Sequence, residues 1–331
     1  MKRVLALFLG LTMMVTFLSG CGGQQGGETP APTETASAGV DLTILYEEDE
    51  NMLNTYSLLA VNPDAPFVDA GGSPVEDVAL NTEGAAALIH WMLSAEGKAA
   101  IDAYGYAEYG EHLFYPLEDA PLYEGDIPRA TEETRLIRMS TTTSVNDSGL
   151  LGSLLAMFEE QYGYRVEVYS AGTGKAIANA KMGNADLILV HAKSQEEAFI
   201  ADGFSYVVDG FENERLSFMY NYFVLCGPTA DPAGVKQCAT VKDAFATIAE
   251  GGYTFVSRGD ASGTHTKEMA LWPEELGITM ESASVAPYTD WYVYSNTGMG
   301  VCLTMAEEMG GYILSDKATF LTFVANGGVM D

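Results

Sequence analysis

Residues 135–163, "RLIRMSTTTSVNDSGLLGSLLAMFEEQYG", decide the fold. "LIRMS" reads as a short strand. "STTTS" (Ser140–Ser144) follows as a turn of hydroxyls. Leu150, Leu151, Leu154, Leu155 and Phe158 then share one face of a helix that Gly163 ends. Strand, turn and amphipathic helix are the unit of an α/β sheet.

The same rhythm continues downstream. "YRVEVYSA" is a strand, "TGKAIANAKM" a short helix, and "ADLILVHA" an uninterrupted apolar strand of the kind buried on both faces. "SQEEAFIADG" opens with a capping-box pattern, Ser194 to Glu197. This alternation predicts a parallel, doubly wound sheet. "SFMYNYFVLCGP" is a long strand read as the crossing into a second lobe, where strands and helices again alternate to "SDKATFLTFVANGG".

More than a hundred residues precede this unit, although it has the character of a first unit. "LTILY" (Leu42–Tyr46) and "YSLLAVN" (Tyr56–Asn62) read as strands. "TEGAAALIHWMLSAEGKAAIDAYG" reads as one helix from Thr82, with Leu88, Trp91, Met92 and Ala99 on one face and His90 on the surface. "APLYEGDIPRATEE" is a polar surface connection.

Lys2 and Arg3, the apolar stretch Val4–Leu18 and "LSGC" resemble a bacterial lipoprotein signal over residues 1–20, with Cys21 as the lipidated residue. "GGQQGGETPAPTETASAG" follows as a tether over residues 21–41. The formal net charge of −30, with no basic cluster, excludes a nucleic-acid binder. Exposed charges are screened beyond about 8 Å, so this charge does not forbid an anionic ligand held by local donors. Three further cysteines, Cys226, Cys238 and Cys302, fit no zinc spacing. A Cys226–Cys238 disulfide and three small buried thiols are both compatible with them.

Three turns share one chemistry: "STTTS", "SAGTGKA" (Ser170–Ala176) and "SRGDASGTH" (Ser257–His265). Each joins a strand to a helix N-terminus, where backbone N–H groups lack partners. Hydroxyls add donors, and glycines admit a ligand close to the backbone. Arg258 adds a planar fork suited to two oxygens of an oxyanion, and Asp260 is expected to brace it or turn away. Catalytic readings fail. "SAGTGKA" lacks the first glycine of a P-loop and carries Ala176 in place of the magnesium-binding hydroxyl. "GDASGTH" is no nucleophile elbow. His191 and His265 lie near the cleft without a triad or metal set.

"STTTS…SGLL", "AGTG", "ADLILVHA", "MYNYFVLCGPTADPAG", "FVSRGDASGTHTKE", "LW", "GMG" and "LSDKATFL" resemble, in order, the tungstate-binding proteins of bacterial ABC importers. The resemblance implies a two-lobed α/β fold of the class II periplasmic-binding-protein type. It implies an extracytoplasmic, lipid-anchored monomer that is not an enzyme and carries no cofactor. Such a protein passes tungstate, with molybdate or another oxyanion as the alternative, to a permease and its ATPase. An anion sensor not coupled to transport is the other reading.

Residues 42–116 resemble the family's C-terminal part at the wrong end of the chain, so the order looks circularly permuted. Lobe I is then residues 52–226 (52–116, the joining segment 117–134, and 135–226). Lobe II is residues 227–331 plus 42–51. Leu42 and Asp331 should be neighbours, and Tyr222–Pro228 and Asn54–Asn62 the hinges. The ligand set carried over by motif is Thr142, Thr143 and Ser144 on the first turn, Thr173 and Gly174 on the second, and Arg258, Ser262, Gly263 and Thr264 on the third. Gly298 and Gly300 offer a further helix end.

Overall fold

The computed structural model describes residues 40–328, apart from Glu48 and Glu111. The expected signal, Cys21 and all but the last residues of the tether lie outside them.

The strands are β1 (Leu42–Tyr46), β2 (Leu53–Val61), β3 (Tyr115–Pro116), β4 (Leu136–Thr142), β5 (Arg165–Ala171), β6 (Leu187–Val190), β7 (Ser205–Tyr206), β8 (Leu216–Pro228), β9 (Phe255–Ser257), β10 (Tyr292–Tyr294) and β11 (Ile313–Asp316). The helices are α1 (Thr82–Met92), α2 (Ala95–Ala103), α3 (Tyr106–Tyr109), α4 (Thr143–Asp147), α5 (Leu150–Tyr162), α6 (Thr173–Lys181), α7 (Lys193–Ala201), α8 (Val241–Gly251), α9 (Gly263–Met269), α10 (Met299–Met309) and α11 (Lys317–Ala325).

The main sheet runs β1-β8-β2-β6-β4-β5, with β11 and β3 also on β8 and β7 on β2. It is mixed, not parallel. β4 pairs parallel with β5 and β6, whereas β2 is antiparallel to both β6 and β8. The cause is direction of travel: β4, β5, β6 and β8 run toward the lobe boundary, and β2 starts there and runs away. β8 serves both lobes. Leu216–Tyr222 pair with β2, then Phe223–Cys226 pair with β11 and Leu225–Pro228 with β1. Phe223, Val224, Leu225 and Cys226 are all buried, as befits a stretch covered on both faces.

Each lobe has a core on both sheet faces. In lobe I, Leu88, Trp91, Phe158 and Phe218 gather on one face, and Leu59, Ile188, Phe199 and Phe204 on the other. In lobe II, Trp272 sits among Phe245 (ring centroids 4.7 Å), Phe255 (4.9 Å) and Trp291 (5.4 Å). Val224, Val256, Leu303 and Phe323 fill the other face.

The crossing that leads into β2 is a short 3-10 turn, Glu50–Met52. Asn54–Asn62, expected as a hinge, begins just past that turn and is paired by β8 and β6. Asp331 lies outside the described residues. The described ends are adjacent: a Cβ on Gly328 would fall 3.2 Å from Val40 Cγ2, and Asp41 N–H donates to Glu307 Oε1 (3.4 Å).

Three local expectations change. The helix from Thr82 is two helices. Ser94 Oγ caps α2 by accepting from Gly97 N, and Gly97 lies so close to Trp91 O that a Cβ would sit 2.2 Å from it. The Ser194–Glu197 capping box does not form, because α7 starts earlier, with Gln195 and Glu196 N–H donating to Ala192 O. His90 is buried: it stacks on Tyr123 (3.7 Å) and its Nε2 contacts Asp209 O (2.8 Å). Of the two cysteine readings the structure has free thiols at Cys226, Cys238 and Cys302, with Cys226 and Cys302 buried and Cys238 partly exposed.

Candidate functional site

The sequence places hydroxyls and glycines where strands end, and the topology then brings those ends together. Thr142 closes β4; its Oγ1 lies 3.1 Å from Ser144 Oγ in the first turn of α4. Thr143 stands between them, half-buried. Ser144 Oγ is 3.2 Å from Nε2 of His191, the residue after β6. Thr173 opens α6 after Gly172, and Gly174 follows it.

The third turn comes from lobe II and meets these directly. A Cβ at Gly172 would be 3.4 Å from Ser262 Cα, and one at Gly174 would be 3.9 Å from Ala261 O. A Cβ at Gly263 would fall 2.2–2.7 Å from the His191 ring atoms. The lobes are therefore closed on one another. Ser262 caps α9 by accepting from His265 N (3.2 Å), which leaves its hydroxyl proton free to donate. Thr264 is buried one residue into the helix. The nine expected residues thus occupy facing turns of the two lobes. Gly298 caps α10 next to them, through Thr297, whose N–H donates to Arg258 O (3.2 Å). Gly300 lies inside that helix, beyond its cap.

Arg258 is 2% exposed. Its Nε donates to Thr297 O (2.9 Å) and its Nη2 to Asp260 Oδ2 (2.5 Å). Asp260 also accepts from Ser262 N (3.1 Å), so this carboxylate braces the turn and the guanidinium together. Among the described residues no acceptor pairs with Nη1. Ala261 holds φ at 57°, a strained value for alanine, and its N–H donates to His265 Nδ1 (3.2 Å). That bond puts the proton of a neutral His265 on Nε2.

Buried polar atoms without a partner are rare in folded proteins. Among the described residues seven side-chain atoms are in that state, and four belong to this region: Ser170 Oγ, Thr173 Oγ1, His191 Nδ1 and His265 Nε2. The geometry accounts for such a set if a ligand between the lobes completes the bonding. Ser170 was quoted within its turn but not singled out by the sequence reading. The alternation of β5, with Val166 and Val168 turned inward, was the available signal.

Burial disfavours the charged forms of the ionisable groups here. Burial, then Arg258 and Lys267, lower the His191 pKa to about 3, so the ring is neutral. Burial also lowers His265 and Lys267. Burial raises Asp147, opposed by Asn146 and Arg258. Glu268, wholly enclosed on α9, is raised to about 7 by burial; it accepts from Ser257 Oγ (2.6 Å), Trp272 Nε1 (2.9 Å) and Tyr292 OH (2.5 Å). The Ser144–His191 contact is no nucleophile–base pair: among the described residues no acid orients Nδ1, and a ring with so low a pKa is a poor base at neutral pH.

A cleft of about 410 Å³ adjoins the site at the lobe boundary, lined by Asn54, His191, Arg215, Phe223, Gly263 and Lys267. The three turns approach one another at His191, Gly172 and Ser262, and the unpartnered atoms of Ser170, Thr173, His191 and His265 lie on these turns or at His191. Among the described residues no helix is long and apolar enough to cross a membrane.

Residues 128–330 match the family model described as the PBP superfamily domain. The chain belongs to that superfamily. Residues 40–127 fall outside the matched span yet supply β1, β2 and β3 to the same sheet. A Haloferax volcanii protein, provisionally named an ABC transporter anion-binding protein, is 45% identical over 188 residues, 57% of this chain and 51% of that protein. The tungstate-binding protein TupA of Peptoclostridium acidaminophilum is 42% identical over 208 residues, 62% of this chain and 67% of that protein. The chain thus spans about half to two thirds of the length of these curated relatives. The crystal structure of the tungstate ABC transporter from Geobacter sulfurreducens aligns at 41% identity and a TM-score of 0.48, over 57% of this chain and 75% of that chain.

Proposed function

We propose that this PBP-superfamily chain is an extracytoplasmic binding protein. It captures tungstate between its lobes and hands it to the permease and ATPase of an ABC importer, and it is held at the membrane by a lipid on Cys21. One observation carries the reading: unpartnered buried polar groups converge from both lobes around Arg258. Tungstate has no proton to give at neutral pH, so its site needs donors. Thr173 Oγ1, the proton on His265 Nε2, Ser262 Oγ and the free Nη1 of Arg258 are such groups. The relatives named for tungstate and for anions support the same ligand class. No resident cofactor and no catalytic step is part of this reading.

The order of the chain supports a permuted arrangement. The family match begins only at residue 128, and the described ends sit side by side at Val40 and Gly328. The deciding experiment is a competition titration of the full chain with tungstate, molybdate and sulfate by calorimetry. Tight tungstate binding that sulfate does not displace is the expected result. Failure of tungstate to bind would overturn the proposal, and displacement by molybdate at equal concentration would widen the ligand to both metal oxyanions.

A further inference from the structure

A second group of buried polar side chains lies where the lobes join. Asp316, at the end of β11, is wholly buried, and among the described residues no cation pairs with it. Its Oδ2 accepts from Asn221 Nδ2 on β8 (2.5 Å), Tyr56 OH on β2 (3.1 Å) and Asn54 Nδ2 on β2 (3.3 Å). Its Oδ1 caps α11, accepting from Thr319 N (3.2 Å) and Thr319 Oγ1 (3.4 Å). The two hydrogens of Asn54 Nδ2 are shared among three acceptors, the others being Tyr56 OH (2.9 Å) and Asn221 Oδ1 (2.9 Å).

The start of β2, just past the crossing turn, the middle of β8, which crosses between the lobes, and the β11–α11 joint of lobe II therefore meet at one carboxylate. An enclosed acidic group without a counter-ion is costly, and burial raises its pKa. Its persistence calls for a reason.

The knot also reaches the oxyanion turn. Tyr56 OH lies 3.5 Å from Ser144 Oγ, and the one hydroxyl proton of Thr319 is shared between Asp316 Oδ1 and Ser144 O (3.3 Å). Ser144 in turn contacts His191, whose ring packs against Tyr56 (4.9 Å) and abuts Gly263 of the opposite lobe. A shift of the strand crossings thus cannot leave Ser144 and His191 in place. We propose that Tyr56 and Asp316 are positioning residues that couple the Ser144 turn to the interlobe crossings, so that anion seating and lobe closure form one two-state element. The inference rests on the anion-binding reading of that turn, but its first test needs no ligand.

Amide hydrogen exchange of the full chain without added anion decides it. In Tyr56→Phe, which keeps the ring and removes the hydroxyl, exchange should quicken together in α4 and in the first turn of α11. Thr319→Val, which keeps the shape, should do the same. Quickening confined to β2 in the first variant and to α11 in the second would overturn the coupling. Tungstate titration adds a readout that a packing role would not move. Tyr56→Phe should weaken binding roughly threefold to tenfold. That loss should shrink in a Ser144→Ala background, and fully additive losses would overturn the proposal. If the unaltered chain binds no tungstate, the ligand assignment fails while the exchange result still stands for or against the coupling.

Discussion

Substituting Gly263 by alanine adds one methyl group at the point where the lobes touch. Gly263 begins α9 in lobe II, and its would-be Cβ lies 2.2 Å from His191 Cε1, 2.6 Å from Nδ1 and 2.7 Å from Nε2. Real Cβ atoms do not approach so closely, so one partner must move. The ring has little room: Ser144 holds Nε2 at 3.2 Å, Tyr56 lies at 4.9 Å and Phe223 at 6.1 Å. Gly263 is not among the residues with positive φ, so alanine brings a clash without backbone strain. The cost therefore falls on the closed state alone. Overpacking of this kind costs about 1–3 kcal/mol, which corresponds to roughly fivefold to 150-fold in affinity. Calorimetric titration of Gly263→Ala with tungstate should show a loss in that range. The unfolding midpoint without anion, where the lobes are free to part, should move much less. Wild-type affinity in this variant would refute the reasoning. So would a loss of stability without anion as large as the loss of binding, since the methyl would then disturb the lobe itself.

Other outcomes follow from the same contacts. Arg258→Ala removes a charged donor from a dry site and strands Asp260; tungstate affinity should fall by about 1.5–3 kcal/mol, roughly tenfold to 150-fold, as read by calorimetry. Glu268 has its pKa raised from 4.5 to about 7, so the folded chain holds a proton that the unfolded chain releases between those values. Stability should consequently decline as pH rises from about 4.5 to about 7 and stay level beyond. Glu268→Gln should make that decline shallower in thermal unfolding curves, the rest coming from other carboxyls raised by burial, such as Asp147 and Asp316, and an unchanged slope would reject the assignment. Joining Gly328 to Val40 through a short linker and opening the chain between Gly125 and Asp126 should leave tungstate affinity unchanged, because both points lie outside the site; loss of binding in a folded product would count against the permuted order.

The strand-to-helix units were legible because their signals are local. The apolar run 187–190 became β6, and Leu150, Leu151, Leu154, Leu155 and Phe158 became the buried face of α5. The three turns were legible as donor-rich loops, since hydroxyls and glycines at strand ends are written in the residues themselves. What escaped the reading depends on distant partners. His90 looked like a surface residue until Tyr123, in the joining segment, stacked on it. The reversed direction of β2 follows from its entering at the lobe boundary, which no local pattern records. Asp316 was not singled out within "LSDKATFL"; the structure makes it the cap of α11, and the meeting of β2, β8 and β11 makes it a junction.

The proposed permutation poses a physical question of its own: how the order of a chain can change without loss of a site assembled from both lobes. Each donor turn needs only its own strand and the helix that follows, since the turn's geometry is fixed by the strand end and the helix start. β4 with α4, β5 with α6, and β9 with α9 are each continuous in sequence. The segment 117–134 is anchored elsewhere, by Lys98 Nζ donating to Ala120 O (2.8 Å), Tyr123 N–H donating to Leu93 O (3.0 Å) and Tyr123 on His90. The Val40–Gly328 contact lies beside α10 and α11, at Glu307 and Phe323. Neither joint interrupts a turn. Reordering thus changes the sequence separation between the donor turns and the α1–α2 block, a matter for folding rate, while every donor keeps the strand and helix that aim it.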